Sequence, residues 1–261
     1  MEMTEQRDAL IKEWLKEATK KIKESLKHDL EVEVKSSPND LVTQMDRKIE
    51  KELVEKIKQH FPNDLIVSEE GFGDRVNKKD FEQKTVWFLD PIDGTLNFVL
   101  QNENYAVMLA VYEKGVGKQA YIYDVTHNKL YWGIKNKGVY CNEQRLPKME
   151  DLPLAKGLFA SNSMFLSNKQ VSLNTEITKR AMGVRTLGSA GLEAVELVKG
   201  STIAYVSYGL KPWDIAPGLV LIEESGGVVT QFDGTSVNIL NIEPTIMATP
   251  TAQKEITELL Q

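Results

Sequence analysis

Residues 86–98 constrain the fold of this chain more than any other stretch, and they read VWFLDPIDGTLNF. Four apolar residues open it, three of them β-branched or aromatic, and they predict a short buried strand. The turn formers that follow place Asp90 and Asp93 at the end of that strand. Gly94 then permits a left-handed or sharply turned backbone before a helix could begin at Thr95. The chain must therefore present two carboxylates where a buried strand meets a helix.

A turn of this kind suits ion binding. Its carboxylates and a backbone carbonyl can point to one position and hold a cation, while the amides of Gly94 and Thr95 at a helix N-terminus can hold an anion. A cation site and a phosphate site would then share one loop. Taken alone, the turn is equally typical of a polar strand-to-helix connection that Thr95 caps.

Composition and charge exclude several classes of protein. The 261-residue chain has a net charge of −6, which argues against nucleic-acid binding and makes an anionic substrate unfavourable unless cations are bound. No apolar run approaches the roughly 18 residues that a membrane span needs, and the charged residues 1–12 do not resemble a secretion signal, so we expect a cytoplasmic protein. The single cysteine, Cys141, excludes an internal disulfide and a cysteine-rich zinc site.

Hydrophobic periodicity predicts helices and strands in alternation. Amphipathic spacing predicts helices over 3–27 and 41–60, and a polar excursion follows over 73–84. Charge and proline near 142–153 predict a domain boundary, which divides the chain into residues 1–145 and residues 146–261. The other predicted elements are strands at 65–68, 105–112, 119–125, 129–134, 138–141, 157–161 and 202–206, strands near Val184, Val228 and Ile246, and helices at 168–182, 190–199, 213–224 and from Gln253 onward.

Four acids lie where a strand or loop gives way to a turn or helix, namely Glu69, Asp90, Asp93 and Asp214. Isolated acids at such positions are usually solvated. If these four converge, each pair about 4 Å apart repels by about 4 kcal/mol at an effective dielectric of 20, so divalent cations would be required. Oxygen ligands without histidine or cysteine favour Mg²⁺, and paired Mg²⁺ ions are suited to phosphoryl transfer.

Asp46 allows two interpretations. It falls in the first turns of the predicted 41–60 helix, where an acid interacts favourably with the helix dipole. Alternatively, Asp46 beside Thr95 orients a water molecule for attack on phosphorus.

Three competing motifs fail. Residues 93–96 read DGTL, as in haloacid-dehalogenase phosphatases, but the position of their aspartyl nucleophile is Pro91. Residues 115–120 read GVGKQA and imitate a dinucleotide fingerprint, but a strand-like run follows where a helix is required. The chain also has no phosphate-binding loop of the Gly-x-x-x-x-Gly-Lys-Ser/Thr type.

Several motifs, in order and spacing, resemble the inositol monophosphatase family. They are KSSPNDLVTQMD at 35–46, Glu69-Glu70, DPIDGT at 90–95, Gly188-Ser189-Ala190, and Trp213-Asp214 followed by Gly226-Gly227. The resemblance covers nearly the whole chain. It implies an α/β (α+β) fold, a layered αβαβα sandwich of the inositol monophosphatase and fructose-1,6-bisphosphatase type. It also implies a homodimer that hydrolyses small phosphate monoesters with Mg²⁺ and is inhibited by lithium.

The resemblance also implies roles for individual residues. Two or three Mg²⁺ ions are expected: Glu69, Asp90 and the Ile92 carbonyl would hold the first, Asp90, Asp93 and Asp214 the second, and Glu69 would help to hold a weaker third beside the mobile loop of Lys35. Thr95, oriented by Asp46, would polarise the attacking water, with Glu69 also in the catalytic set. The substrate would contact Asp93, the Gly94 and Thr95 amides, the alcohol pocket of Gly188, Ser189 and Ala190, and the positions Ser207 and Asp214.

Two positions depart from the family pattern. Seven residues before Asp214, animal inositol phosphatases carry a glutamate that binds inositol hydroxyls, and this chain has Ser207. A site that loses an acceptor for a hydroxyl loses discrimination for it, so broader or different specificity is expected. Pro217 replaces a small residue in the first turn of a helix, where proline is tolerated.

The expected function is Mg²⁺-dependent hydrolysis of a small phosphorylated metabolite, with inositol monophosphate as the first substrate and no covalent intermediate. The alternatives on the same fold are a phosphatase of NADP(H), of fructose 1,6-bisphosphate or of 3′-phosphoadenosine nucleotides. An alternative from another class is a non-catalytic regulatory protein that keeps the fold and binds a macromolecular partner.

Overall fold

Residues 2–27, 31–34, 41–162, 165, 171–241 and 243–260 are described by the structure, a computed structural model. The first part of the chain forms α1 (Glu2–Ser25), β1 (Val32–Val34), β2 (Leu41–Thr43), α2 (Gln44–His60), β3 (Leu65–Ser68), α3 (Lys78–Gln83), β4 (Thr85–Asp93), α4 (Thr95–Leu100), β5 (Ala106–Glu113), β6 (Val116–Asp124), β7 (Lys129–Ile134), β8 (Gly138–Cys141) and β9 (Gln144–Arg145).

The second part alternates helices and strands. A 3₁₀ turn (Leu154–Lys156) is followed by β10 (Leu158–Ser161), α5 (Val171–Arg180), β11 (Gly183–Arg185), α6 (Ala190–Val198), β12 (Ala204–Leu210), α7 (Pro212–Ser225), β13 (Val228–Gln231), β14 (Glu243–Ala248) and α8 (Pro250–Leu260).

Two large sheets organise the molecule. The seven-stranded sheet has the order β3-β4-β5-β6-β7-β8-β9 and is antiparallel except for the parallel pair β3–β4. The five-stranded sheet has the order β11-β10-β12-β14-β13, with β10 parallel to both its neighbours and β14 antiparallel to both of its own. The short strands β1 and β2 pair separately.

Side chains on opposite faces of β4 pack into different apolar clusters because successive residues of a strand point to opposite sides. Trp87 and Leu89 pack with α1 and α2. Val86 and Phe88 pack with α6 and α7, which also contact the five-stranded sheet. The far face of that second sheet packs against α5 and α8. The layers therefore run helix, sheet, helix, sheet, helix, and the predicted αβαβα sandwich is confirmed.

A β-bulge in β4 brings its two acids to the same face of the sheet. Asp90 pairs with Met108 and Asp93 with Ala106, so three steps along β4 match two along β5. In a regular strand, residues three apart point to opposite faces, and the extra residue corrects this. The strand predicted to end before the acids therefore continues through them, and its bulge replaces the predicted simple turn.

Helix α7 lies between the two sheets and fits closely. A Cβ placed on Gly117 would come within 2.5 Å of the Val220 side chain, and one on Gly133 within 2.9 Å of the Leu221 side chain. The Tyr112 hydroxyl donates a buried hydrogen bond of 2.9 Å to the Ala216 carbonyl. These contacts fix the helix whose first turn carries an acid of the predicted site.

Other predicted elements differ mainly in extent, whereas β1, β2, α3 and β9 were not predicted. The prediction that Pro217 lies in the first turn of a helix is wrong: α7 begins at Pro212, so Pro217 lies inside it. Residues 41–43 pair as a strand, and the helix predicted from residue 41 begins at Gln44, because Thr43 caps it. The polar excursion over 73–84 contains the short helix α3. Residues 168–170 of the predicted 168–182 helix lie outside the described residues. The two-domain division stays a prediction. None of the described helices is long and apolar enough to span a membrane.

We predict that Leu221→Ala lowers the free energy of unfolding by about 2–5 kcal/mol, because it opens a cavity in a helix layer that is buried on both sides. Chemical denaturation followed by circular dichroism measures the change. Met3→Ala is the control, since that side chain is 64% exposed, and it should change the free energy by less than about 0.5 kcal/mol. A Leu221→Ala effect as small as the control's would contradict the packing described for α7.

Candidate metal-dependent active site

Three carboxylates meet at one point between the sheets. Asp90 and Asp93 come from β4 and Asp214 from the first turn of α7, and one oxygen of each lies within 4.8 Å of the others. They open into a cleft of about 480 Å³. The residues lining it include Glu69, Ile92, Gly94, Thr95, Asn97, Gly188, Ser189, Ala190, Glu193 and Tyr205. The structure thus brings the predicted acids together.

Burial and mutual repulsion strongly disfavour the charged forms of these acids. Burial, then the charges of Glu69, Asp93 and Asp214, raise the pKa of Asp90 well above its usual range. Burial and the charges of Asp93 and Glu69 raise the pKa of Asp214 to about 8. No lysine or arginine lines the cleft within the described part of the chain. A bound cation is therefore the natural counter-charge, and an all-oxygen donor set suits a hard divalent ion.

Asp93 joins the cluster of three acids to the predicted alcohol pocket. Its carboxylate accepts hydrogen bonds from the Ser189 hydroxyl, the Ala190 amide (3.0 Å) and the Gly191 amide (2.8 Å). Burial raises the pKa of Asp93, and these donors oppose the shift. The N-terminus of α6 is therefore fixed against an acid of the site.

Thr95 and Asp46 are in contact, as the second interpretation of Asp46 requires. The Thr95 hydroxyl lies 3.0 Å from both Asp46 Oδ1 and the Ile92 carbonyl. The other Asp46 oxygen accepts from the Thr43 amide at 2.9 Å, so Asp46 also completes the cap of α2. Gly94 has the expected left-handed backbone, with φ of 87°, and α4 begins at Thr95. The two interpretations of Asp46 are therefore compatible.

The remaining predicted residues are placed as follows. Glu69 follows β3 and lines the cleft, and its charge acts on Asp90 and Asp214. Ser207 is fully buried in β12, and its hydroxyl lies 3.3 Å from the Tyr208 carbonyl; its contact with a substrate stays a prediction. Lys35 lies outside the described residues.

Sequence analysis missed three residues near the site. Asn97 donates to the Leu187 carbonyl at 2.7 Å and so ties α4 to the predicted alcohol pocket. Glu193 lines the cleft, and burial raises its pKa to about 7. Glu50 is fully buried under the turn that carries Glu69. Glu50 follows Ile49 on the apolar side of α2, and an acid in that position was the one available signal.

A model of the inositol monophosphatase family matches residues 3–261. The chain belongs to the inositol monophosphatase family. Inositol-1-monophosphatase of Bacillus subtilis (strain 168) is 37% identical over 254 residues, which cover 96% of this chain and 95% of that protein. Inositol monophosphatase 1 of Mus musculus is 30% identical over 87% of this chain and 83% of its own. The predicted family is confirmed, and these relatives bear the names of phosphoric monoester hydrolases.

Solved structures of inositol monophosphatases (IMPases) share the fold. An IMPase/NADP phosphatase complexed with Mg²⁺ and phosphate matches with a TM-score of 0.89 and 27% identity, covering 98% of this chain and 95% of that one. A staphylococcal inositol monophosphatase-1 soaked in LiCl matches with a TM-score of 0.91 and 28% identity, over 98% of this chain and 94% of its own. The first of these two neighbours therefore holds a divalent metal ion together with phosphate.

We predict that the metal-free protein loses stability as pH rises from 3.8, the ordinary pKa of an aspartate, to about 8, the raised pKa of Asp214 in the folded state. Between these values the folded state keeps a proton that the unfolded chain has released, so raising the pH favours unfolding. Melting temperatures in chelator should be lower at about pH 8 than at about pH 6, and Asp214→Asn should reduce the difference.

The exposed Glu258→Gln in α8 is the control for this experiment and should leave the pH dependence unchanged. A metal-free protein whose stability rises over this pH range would contradict the burial of the acidic cluster.

Proposed function

We propose that this protein hydrolyses small phosphate monoesters with Mg²⁺, and that inositol monophosphate is its first substrate. The convergence of Asp90, Asp93 and Asp214 on one cleft, with Glu69 beside them, carries the proposal. Such a cluster of buried acids is unfavourable without cations. The predicted class, a phosphoric monoester hydrolase, agrees with the names of the relatives.

The donor set fits two or three divalent ions. Glu69, Asp90 and the Ile92 carbonyl would hold one, Asp90, Asp93 and Asp214 would hold another, and Glu69 would help to hold a weaker third. Bound there, Mg²⁺ would lower the pKa of the attacking water and stabilise charge on the phosphoryl oxygens. Mg²⁺ is chosen over Ca²⁺ because it is the ion present with phosphate in the IMPase/NADP phosphatase structure.

The chain's own residues would position the reactants. Thr95 would polarise the attacking water by accepting a hydrogen bond from it, because its own hydroxyl proton is directed to Asp46 Oδ1 at 3.0 Å. The amides of Gly94 and Thr95 lie at the start of α4 and would donate to the phosphate. Ser189 and Ala190 begin α6 beside the cleft and would contact the alcohol.

The candidate substrates differ in the alcohol that carries the phosphate. One neighbouring structure is named as a dual-specific IMPase/NADP phosphatase bound with D-inositol-1-phosphate, and another is complexed with NADP and Ca²⁺. NADP(H) is therefore the strongest second candidate, ahead of fructose 1,6-bisphosphate and 3′-phosphoadenosine nucleotides. This chain has Ser207 in place of the glutamate that binds inositol hydroxyls, and this difference favours a broader range of substrates. We also propose that the protein is a homodimer in the cytoplasm and that lithium inhibits it.

Phosphate release from a panel of monoesters, with and without chelator, tests this function. We expect Mg²⁺-dependent release from inositol 1-phosphate and none in chelator. Release from NADP⁺ with none from inositol 1-phosphate would replace the first substrate by the second. A folded protein that releases phosphate from no monoester at millimolar Mg²⁺ would instead favour the non-catalytic regulator.

We predict that Asp90→Asn lowers kcat by more than about 100-fold, because it removes the carboxylate shared by two ions and with it several kcal/mol of charge stabilisation. Steady-state kinetics at saturating Mg²⁺ measure the loss. The fold should be kept, and the metal-free melting temperature should not fall, since the substitution relieves repulsion in the buried cluster. Activity equal to that of the unsubstituted chain would exclude the proposed role of Asp90.

A further inference from the structure

Glu50 is a fully buried carboxylate on α2, and within the described part of the chain it accepts hydrogen bonds from residues 68–72. Its Oε1 accepts from the Ser68 hydroxyl at 2.6 Å and from the Phe72 amide at 2.9 Å. Its Oε2 accepts from the Glu70 amide at 2.6 Å. Hydrogen bonds to a buried charge are among the stronger ones in proteins, so this turn is firmly attached to the helix.

The three donors surround Glu69 in sequence. Ser68 is the last residue of β3, and Glu70 follows Glu69 directly. The backbone then passes through Gly71, whose φ of 89° is in the left-handed region, before the Phe72 amide returns to the same carboxylate. The backbone position of Glu69, and with it the direction of its Cα–Cβ bond, is thereby fixed by groups that bind Glu50.

The same helix face supports the other side of the cleft. Asp46 lies four residues before Glu50, one turn earlier on α2, and is also fully buried. Asp46 holds the Thr95 hydroxyl, whereas Glu50 holds the turn of Glu69. One buried face of α2 therefore braces two segments that come from different strands.

We infer that Glu50 is a positioning residue that fixes Glu69 as a ligand and so sets the affinity of the site for a divalent cation. This inference rests on the proposed function, since it takes Glu69 as a metal ligand. Partners that orient a metal ligand through hydrogen bonds typically change metal affinity or activity by about 10–100-fold when they are replaced. Glu50 acts through the turn and does not touch the substrate.

Glu50→Gln is the decisive variant because it keeps the shape of the side chain. Glutamine has one acceptor oxygen and one NH₂ group, which only donates. If its oxygen accepts from Ser68 and Phe72, its NH₂ group faces the Glu70 amide, so that two donors oppose each other. We expect Mg²⁺ binding, measured by isothermal titration calorimetry on the whole protein, to weaken by about 10–100-fold. The Mg²⁺ concentration for half-maximal activity should rise equally, while kcat and KM at saturating Mg²⁺ stay near those of the unsubstituted chain.

Two controls separate positioning from general loss of stability. Glu52→Gln changes an acid of the same helix that pairs with Lys21 instead of the turn, and should leave Mg²⁺ binding unchanged. Asp64→Asn perturbs a carboxylate that accepts from Trp87 at 2.8 Å, and can lower the melting temperature without changing Mg²⁺ affinity. If Glu50→Gln does not fold, Ser68→Ala removes one of the three bonds and should weaken Mg²⁺ binding in the same direction.

The outcomes distinguish this inference from the proposed function. If the unsubstituted chain binds no Mg²⁺, the proposed function fails and the role of Glu50 fails with it. If that chain binds Mg²⁺ and Glu50→Gln binds it equally well, only the inference is overturned. If the kcat of Glu50→Gln falls only in proportion to the fraction of folded protein and its Mg²⁺ affinity is unchanged, the inference is also overturned.

Discussion

The repulsion among buried and half-buried carboxylates is the constraint on which the site depends. Asp90, Asp93 and Asp214 place oxygens within 4.8 Å of one another in a cleft that no described basic side chain lines. Each close pair of charges is unfavourable by about 4 kcal/mol even at an effective dielectric of 20, so protons or cations must compensate. The surrounding apolar packing has to hold these carboxylates together against their mutual repulsion. The folded state loses stability in this way and gains a site that attracts cations.

Rigid elements deliver the acids to one point. The bulge in β4 turns Asp90 and Asp93 to the same face, and the helix layer between the two sheets brings Asp214 to that face from a distant part of the sequence. The close approach of α7 to Gly117 and Gly133 leaves little freedom for the helix to slide. The fold thus explains why residues more than a hundred positions apart can act together.

Much of this architecture can be predicted from the sequence because short-range sequence patterns determine it. Hydrophobic periodicity predicted most helices and strands, and Gly94 before Thr95 predicted the left-handed turn and the start of α4. The bulge was not predictable, since a regular strand and a bulged one share the same apolar pattern. Glu50 and Asn97 were missed because they bind main-chain groups of other segments and, in the case of Glu50, also the Ser68 hydroxyl, and neither a motif nor a spacing records such pairs.

The hydrogen bonds of Asp93 affect how quickly a metal ion could occupy the site. Three donors already fix this carboxylate; two of them occupy Oδ2 and one occupies Oδ1, so an acceptor direction remains on Oδ1. The side chain need not rotate when an ion arrives. If the ion is Mg²⁺, as we propose, loading would be limited by water exchange on the ion and not by rotation of Asp93, because Mg²⁺ gives up its hydration shell reluctantly.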